Sequence, residues 1–136
     1  MKWDQKQPCK GCPFRRDTPV GIWDWSHYVE LQEQDADELN GSLFACHKYR
    51  LLPTAERRPC AGWLLDQRRR HLPSIRLRIA LISKPAARAL LEEVRDGGCP
   101  LYDSVDEMCE ANVGQPAPEG AERLVRPRRP APRRRR

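Results

Sequence analysis

No apolar run in this sequence approaches the ~20 residues that a membrane-spanning helix needs. The opening stretch, MKWDQKQPCKGC, also lacks the apolar segment of a secretory signal, so the expected compartment is the cytoplasm and no membrane partner is expected. Hydrophobic residues are scarce at 39%, aromatics stand at 7%, and the mean hydropathy is −0.79. A core built from 136 such residues must be small and calls for a staple. The usual catalytic signatures are missing as well. There is no H-E-x-x-H, no paired-carboxylate motif and no Gly-rich phosphate loop, and His27, His47 and His71 are the only histidines. No catalytic residue is named on these grounds, and a binding module is favoured over an enzyme. Internal repeats are absent too.

The body of the chain also lacks an excess of either charge. Residues 1–113 hold 17 basic and 17 acidic residues, while 114–136 hold eight arginines against Glu119 and Glu122, which accounts for the whole net charge of +6. A purely basic nucleic-acid-binding domain is thereby excluded, but a neutral domain with a basic arm is not. The last 23 residues contain five prolines and almost no large apolar side chain, and are expected to be a disordered Arg/Pro-rich tail. Arg126, Arg128, Arg129, Arg133, Arg134, Arg135 and Arg136 in it are candidates to contact nucleic acid, or another acidic partner, through counterion release. Within the body, Lys48–Arg78 carries nine bases against Glu56 and Asp66, and Asp24–Glu38 carries six acids and no Lys or Arg. The two segments either neutralise each other or leave a basic face. Tyr49 and Trp63 near that segment could stack on bases or serve the core.

Six cysteines are present, and without a secretory signal they point to a metal site before a disulfide framework. Cys9 and Cys12 stand in PCKGCP, where one tight turn lets two thiolates reach the same ion and Gly11 permits the turn. The same spacing suits a dithiol redox pair, but the β-α-β pattern that usually accompanies one is absent. Cys46 and Cys60 flank a loop in mid-chain and complete a four-thiolate set. Zn2+ is the leading ion for Cys9, Cys12, Cys46 and Cys60, with a 4Fe-4S cluster and a redox or sensor role on the same residues as the alternative. His47 is expected to hydrogen-bond a sulfur or stand exposed beside the site, with replacement of Cys46 as its other option. Cys109, near Val105 and Met108, and Cys99, in a Gly-Gly-Cys-Pro turn, suit structural thiols, with a redox pair or an extra ligand as the other option.

The string CKGCPFRRDTPVG, then FACHK, then CAGW, resembles an uncharacterised family of small cysteine-containing proteins from bacteria and their phages. Its pattern is C-x2-C-P-[FWY]-R, a Cys-His pair and a Cys-Ala-Gly segment, met here at Cys9, Cys12, Pro13, Phe14, Arg15, Cys46, His47, Cys60, Ala61 and Gly62. The resemblance spans residues 8–112 in patches. It implies that Cys9, Cys12, Cys46 and Cys60 form the shared set with His47 attached, and that Cys99 and Cys109 lie outside it; it implies no established activity.

Local signals predict a mostly helical α+β fold in one small domain, 1–113, closed around the four cysteines. Asp24 caps a helix to about Gln34 with Trp25, Tyr28, Val29 and Gln32 on one side. Asn40-Gly41 marks a turn, and residues 42–46 read as a short strand. A helix opens at Cys60, and Ser74 caps another in which Ile75, Ile79 and Ile82 recur at helical spacing. Pro85 starts a helix to Val94 ended by Gly97-Gly98, and Ser104-Val105-Asp106-Glu107 has the form of a capping box opening a helix to about Asn112.

Overall fold

In the computed structural model, which describes residues 1–37 and 41–115, all five predicted helices form, three of them with a side-chain cap at Asp24, Ser74 and Ser104. Helix α1 is Trp25–Ala36, with the Asp24 carboxylate accepting from the Ser26 amide. Helix α2, Ala61–Arg69, starts on Cys60, and α3, Ile75–Ser83, is capped by the Ser74 hydroxyl on the Leu77 amide. Helix α4, Pro85–Glu93, has proline at its first position, where the missing N–H costs nothing. Helix α5, Val105–Asn112, is capped by Ser104 on the Glu107 amide. Here the box is shifted by one residue, because the Glu107 carboxylate accepts from the Asp103 amide rather than from Ser104.

The strand expected at 42–46 does not form, so the α+β expectation reduces to a mostly helical fold. Among the described residues, pairing is limited to two isolated bridges, Ala45 with Pro59 and Arg15 with Leu101. Cys46 donates its amide to the Arg58 carbonyl and Cys60 donates to that of Phe44. Proline at 59 has no N–H to extend such a ladder. Short 3₁₀ turns at His47–Tyr49 and Thr54–Glu56 carry the intervening loop.

Two helix faces differ from the sequence pattern. On α1 the buried residues are His27, Tyr28 and Leu31, while Trp25 is half exposed and Gln32 reaches outward to Asp106. On α3 the core takes Leu77 and Ala80, and Ile79 and Ile82 face solvent at 53% and 82% exposure. That helix is apolar on two sides, so periodicity identifies the helix without identifying its buried face.

Helix α1 packs on α5, α3 on α4, and α2 on α4. Trp23, Tyr28, Leu64, Leu77, Leu90, Val94 and Met108 lie within this core. Gln67, wholly buried, accepts the Ser74 amide and joins the end of α2 to the start of α3. Asp66, also buried, is paired by Arg70, which reaches on to Asp35 of α1. Part of the basic segment is therefore neutralised by the acidic one. Trp63 is core and the Tyr49 ring lies under the Arg58 guanidinium, so neither aromatic is presented for stacking on bases. The expected disordered tail, Arg126, Arg128, Arg129 and Arg133 to Arg136 within it, and Asn40 of the predicted turn lie outside the described residues.

Candidate metal centre

The four motif cysteines come from three parts of the chain, all four are buried, and they pack as two pairs; among the described residues the group whose ligand atoms lie within 4.8 Å of one another takes in Cys9 and Cys46 but not Cys12 or Cys60. Cys9 and Cys12 sit on a turn closed by the Cys12 amide on the Cys9 carbonyl, with Gly11 at φ +78°, a conformation that L side chains resist. Cys46 opens the 3₁₀ turn His47–Tyr49, and Cys60 occupies the N-cap of α2. Cys9 Sγ is 3.7 Å from Cys46 Sγ, and Cys12 Sγ is 3.7 Å from Cys60 Sγ. Disulfide sulfurs stand about 2.05 Å apart, so these are separate thiols, and all six cysteines are free.

His47 belongs to the same cluster. Its Nδ1 is 3.5 Å from Cys9 Sγ, and the ligand atoms of Cys9, Cys46 and His47 lie within 4.8 Å of one another. The sulfurs are also electrically linked. Hydrogen bonds from Cys12 and Cys46, aided by His47, hold the Cys9 thiol far below its ordinary range. Cys12 is pushed well up, first by its contact with Cys60, then by that with Cys9 and by burial. Cys46 is pushed up by Cys9 and by burial. Backbone amides of Phe14 and Lys48, each two residues past a cysteine, donate to the Cys12 and Cys46 sulfurs and favour their thiolates. The N-terminus of α2 adds a positive dipole end at Cys60.

Three further residues support the cluster: Trp23 and Thr18 lie outside the sequence motif, and Gly62 lies inside it without its reason being legible. Trp23 donates its indole N–H to the Gly11 carbonyl at 2.8 Å, stacks on His27 and meets the His47 ring edge-on, fixing the turn and the imidazole together. Thr18 donates its hydroxyl to the Cys12 carbonyl at 2.7 Å. At Gly62 a Cβ would stand 2.7 Å from Phe14 Cβ and 2.9 Å from Cys12 Sγ, so only glycine lets α2 approach the turn this closely. A lone tryptophan, threonine or glycine has many uses, and only the folded chain reveals these.

The remaining cysteines stand apart from these contacts. Cys109 donates its thiol to the Tyr28 carbonyl at 3.1 Å, joining α5 to α1, and burial pushes its pKa up to about 11. Cys99 is half-buried in the turn after α4. Beside the cluster, a cleft of about 740 Å³ is lined by His47, Trp23, His27, Glu30, Glu33 and Arg57 among others. Among the described residues, no helix is long and apolar enough to cross a membrane.

Residues 4–129 match the family described as a family of unknown function, DUF6283, and the chain belongs to that family. No curated protein and no solved structure matches the chain.

Proposed function

We propose, for this member of a family whose role is open, a metal-stabilised binding module in which Cys9, Cys12, Cys46 and Cys60 hold one zinc ion. The observation that carries this reading is the pair of 3.7 Å sulfur contacts between buried, unbonded thiols. Thiolates bound tetrahedrally to zinc at ~2.3 Å stand roughly 3.8 Å apart, which fits the spacing within each of the two pairs; the pairs would have to draw together to share one ion. A cubane cluster places each thiolate on a different iron and separates the ligand sulfurs by roughly 6 Å, so the contacts favour a single ion over the iron–sulfur alternative. Amide donors at Phe14 and Lys48 suit sulfurs that carry negative charge. His47, hydrogen-bonded to Cys9, orients that sulfur and spreads its charge in this reading.

Zinc here would tie the N-terminal turn to the middle loop and the start of α2, replacing core that the composition does not supply. The module's reach toward an acidic partner, nucleic acid foremost, rests on the eight arginines of 114–136, whose attraction to phosphate by counterion release carries little sequence specificity.

The first test is metal content with an absorption spectrum on protein purified without oxygen. One zinc per chain without visible absorbance is the expected result. About four irons with sulfide and a broad band near ~400 nm would replace zinc by the cluster reading, and absence of both would overturn the metal centre. Deleting residues 114–136 should keep zinc and melting temperature while abolishing salt-sensitive DNA or RNA binding; undiminished binding would remove the tail from the contact.

A further inference from the structure

Helix α3 turns one apolar side to the core and a second to solvent. Leu77 and Ala80 are buried, while Ile79 and Ile82 stand exposed on the opposite side with half-buried Ile75 between them, and Leu72 of the preceding turn is 62% exposed. On the helix itself Ile75, Ile79 and Ile82 follow at four and three residues, the interval at which one helix presents a seam to another, and Leu72 lies just before its start. On the shoulders of the seam stand Arg76, exposed, and Arg78, half-buried. Of the seven Lys and Arg residues from Gln67 to Leu91, Arg69 and Arg70 are paired with Asp66, Asp103 and Asp35, so the charge beside the ridge rests on Arg76 and Arg78.

The ridge is held rigid at both ends. Ser74 caps its start and is itself anchored by Gln67, while the Arg88 guanidinium donates to the Leu81 and Ile82 carbonyls at 2.7 and 3.3 Å. Large branched side chains on a preformed helix lose little further freedom on contact.

We propose that this face of α3 docks an amphipathic helix of another protein, one that carries carboxylates beside its own apolar stripe. Charge selects the partner's class. A second copy of this chain, placed on the same face, would set Arg76 and Arg78 against their own counterparts, because flanking charges decide which helices pair. Carboxylates at those positions convert the repulsion to attraction. Nucleic acid would gain charge contacts but leave the isoleucines without use, since phosphates and sugars offer them no apolar surface. The face also lacks the aromatic residues that anchor interfacial helices in lipid. The proposal shares with the preceding section only the acidic character of the partner, and it stands without the metal.

The test uses the full chain and two labelled, stapled helical peptides with leucines along one stripe. One carries glutamates on the shoulders of the stripe and the other carries lysines. Fluorescence anisotropy should show the glutamate peptide binding at least tenfold more tightly. Ile79→Ser with Ile82→Ser should weaken it at least tenfold, and Arg76→Glu should shift preference toward the lysine peptide. Both changes lie on exposed residues, and circular dichroism with metal content on the same samples confirms the fold separately. Equal binding of the two peptides, or binding indifferent to the isoleucine pair, overturns the proposal. So does a wild-type dimer by light scattering that the isoleucine pair dissolves, which assigns the face to self-association. Loss of RNA binding, or of sedimentation with phosphatidylserine vesicles, in the isoleucine variant without loss of peptide binding overturns it as well. Zinc absent with peptide binding intact would sink the metal reading alone.

Discussion

Around the sulfurs, residues 8–16 and 44–60 carry two three-residue 3₁₀ turns and two isolated bridges, whereas from Ile75 to Asn112 three capped helices occupy most of the chain. The helical region is joined by apolar contact, with Leu77, Leu90, Val94 and Met108 all but sealed from solvent. The sulfur region is joined by single, specific contacts: an indole on Gly11, a hydroxyl on Cys12, two amides on sulfurs. A helix repeats its interaction at every turn and tolerates the loss of one. A region of unrepeated contacts concentrates its stability in a few atoms, and the two regions should therefore fail differently.

The largest contrast is expected from Cys60→Ser. It should abolish cooperative melting and metal retention together, whereas Cys99→Ser, in a half-exposed turn, should change neither; matched thermal melts with metal analysis decide this. Next comes Leu77→Ala, which should cost about 2–5 kcal/mol by denaturant unfolding while leaving metal stoichiometry intact. Ile79→Ala on the opposite face of the same helix should fall within about 0.5 kcal/mol, and a comparable loss there would mean the face is covered. Gly62→Ala ordinarily favours a helix. Here its Cβ would intrude on Cys12 Sγ and Phe14 Cβ, and a net loss of about 1–3 kcal/mol with weakened metal binding is expected. A stabilised variant would show that the turn can retreat from α2.

One effect appears only in alkali. The Cys109 thiol ionises near its ordinary value in the unfolded chain but only near about 11 in the fold. Its raised value makes the stabilisation full below the ordinary thiol pKa and lost as pH rises toward 11, by roughly 2 kcal/mol in all. Cys109→Ala should remove that slope between wild-type and variant unfolding curves; parallel curves would sink the assignment.

Much of the helical region was legible because its signals are local. Asp24, Ser74, Pro85 and Ser104 each announce a helix start within four residues, and each does so in the structure. The buried face of α3 was not legible, since isoleucines and leucines on both sides satisfy the same period. At the sulfurs, spacing and the Cys-His pair pointed to Cys9, Cys12, Cys46, Cys60 and His47, and the fold brings Cys9, Cys46 and His47 together, with Cys12 against Cys60. What holds them, Trp23 on Gly11 and Thr18 on the Cys12 carbonyl, depends on contacts that no motif encodes, and the motif's Gly62 shows its reason, a bare Cα against Cys12 and Phe14, only in the fold. The strand reading at 42–46 failed for the converse reason: five strand-compatible residues met a partner segment with Pro59 in the pairing position.

The bridge between Arg15 and Leu101 has a consequence for the order of assembly. The adjoining contact, Arg16 onto the Leu101 carbonyl, joins residues 85 positions apart, against 37 for Cys9 with Cys46 and 48 for Cys12 with Cys60. During synthesis the N-terminal turn emerges first, and Leu101, its bridge partner, arrives after Cys46 and Cys60. Closing such long loops carries an entropic cost before any contact rewards it, so this region sets the pace of folding while the local helix pair α3–α4 forms early.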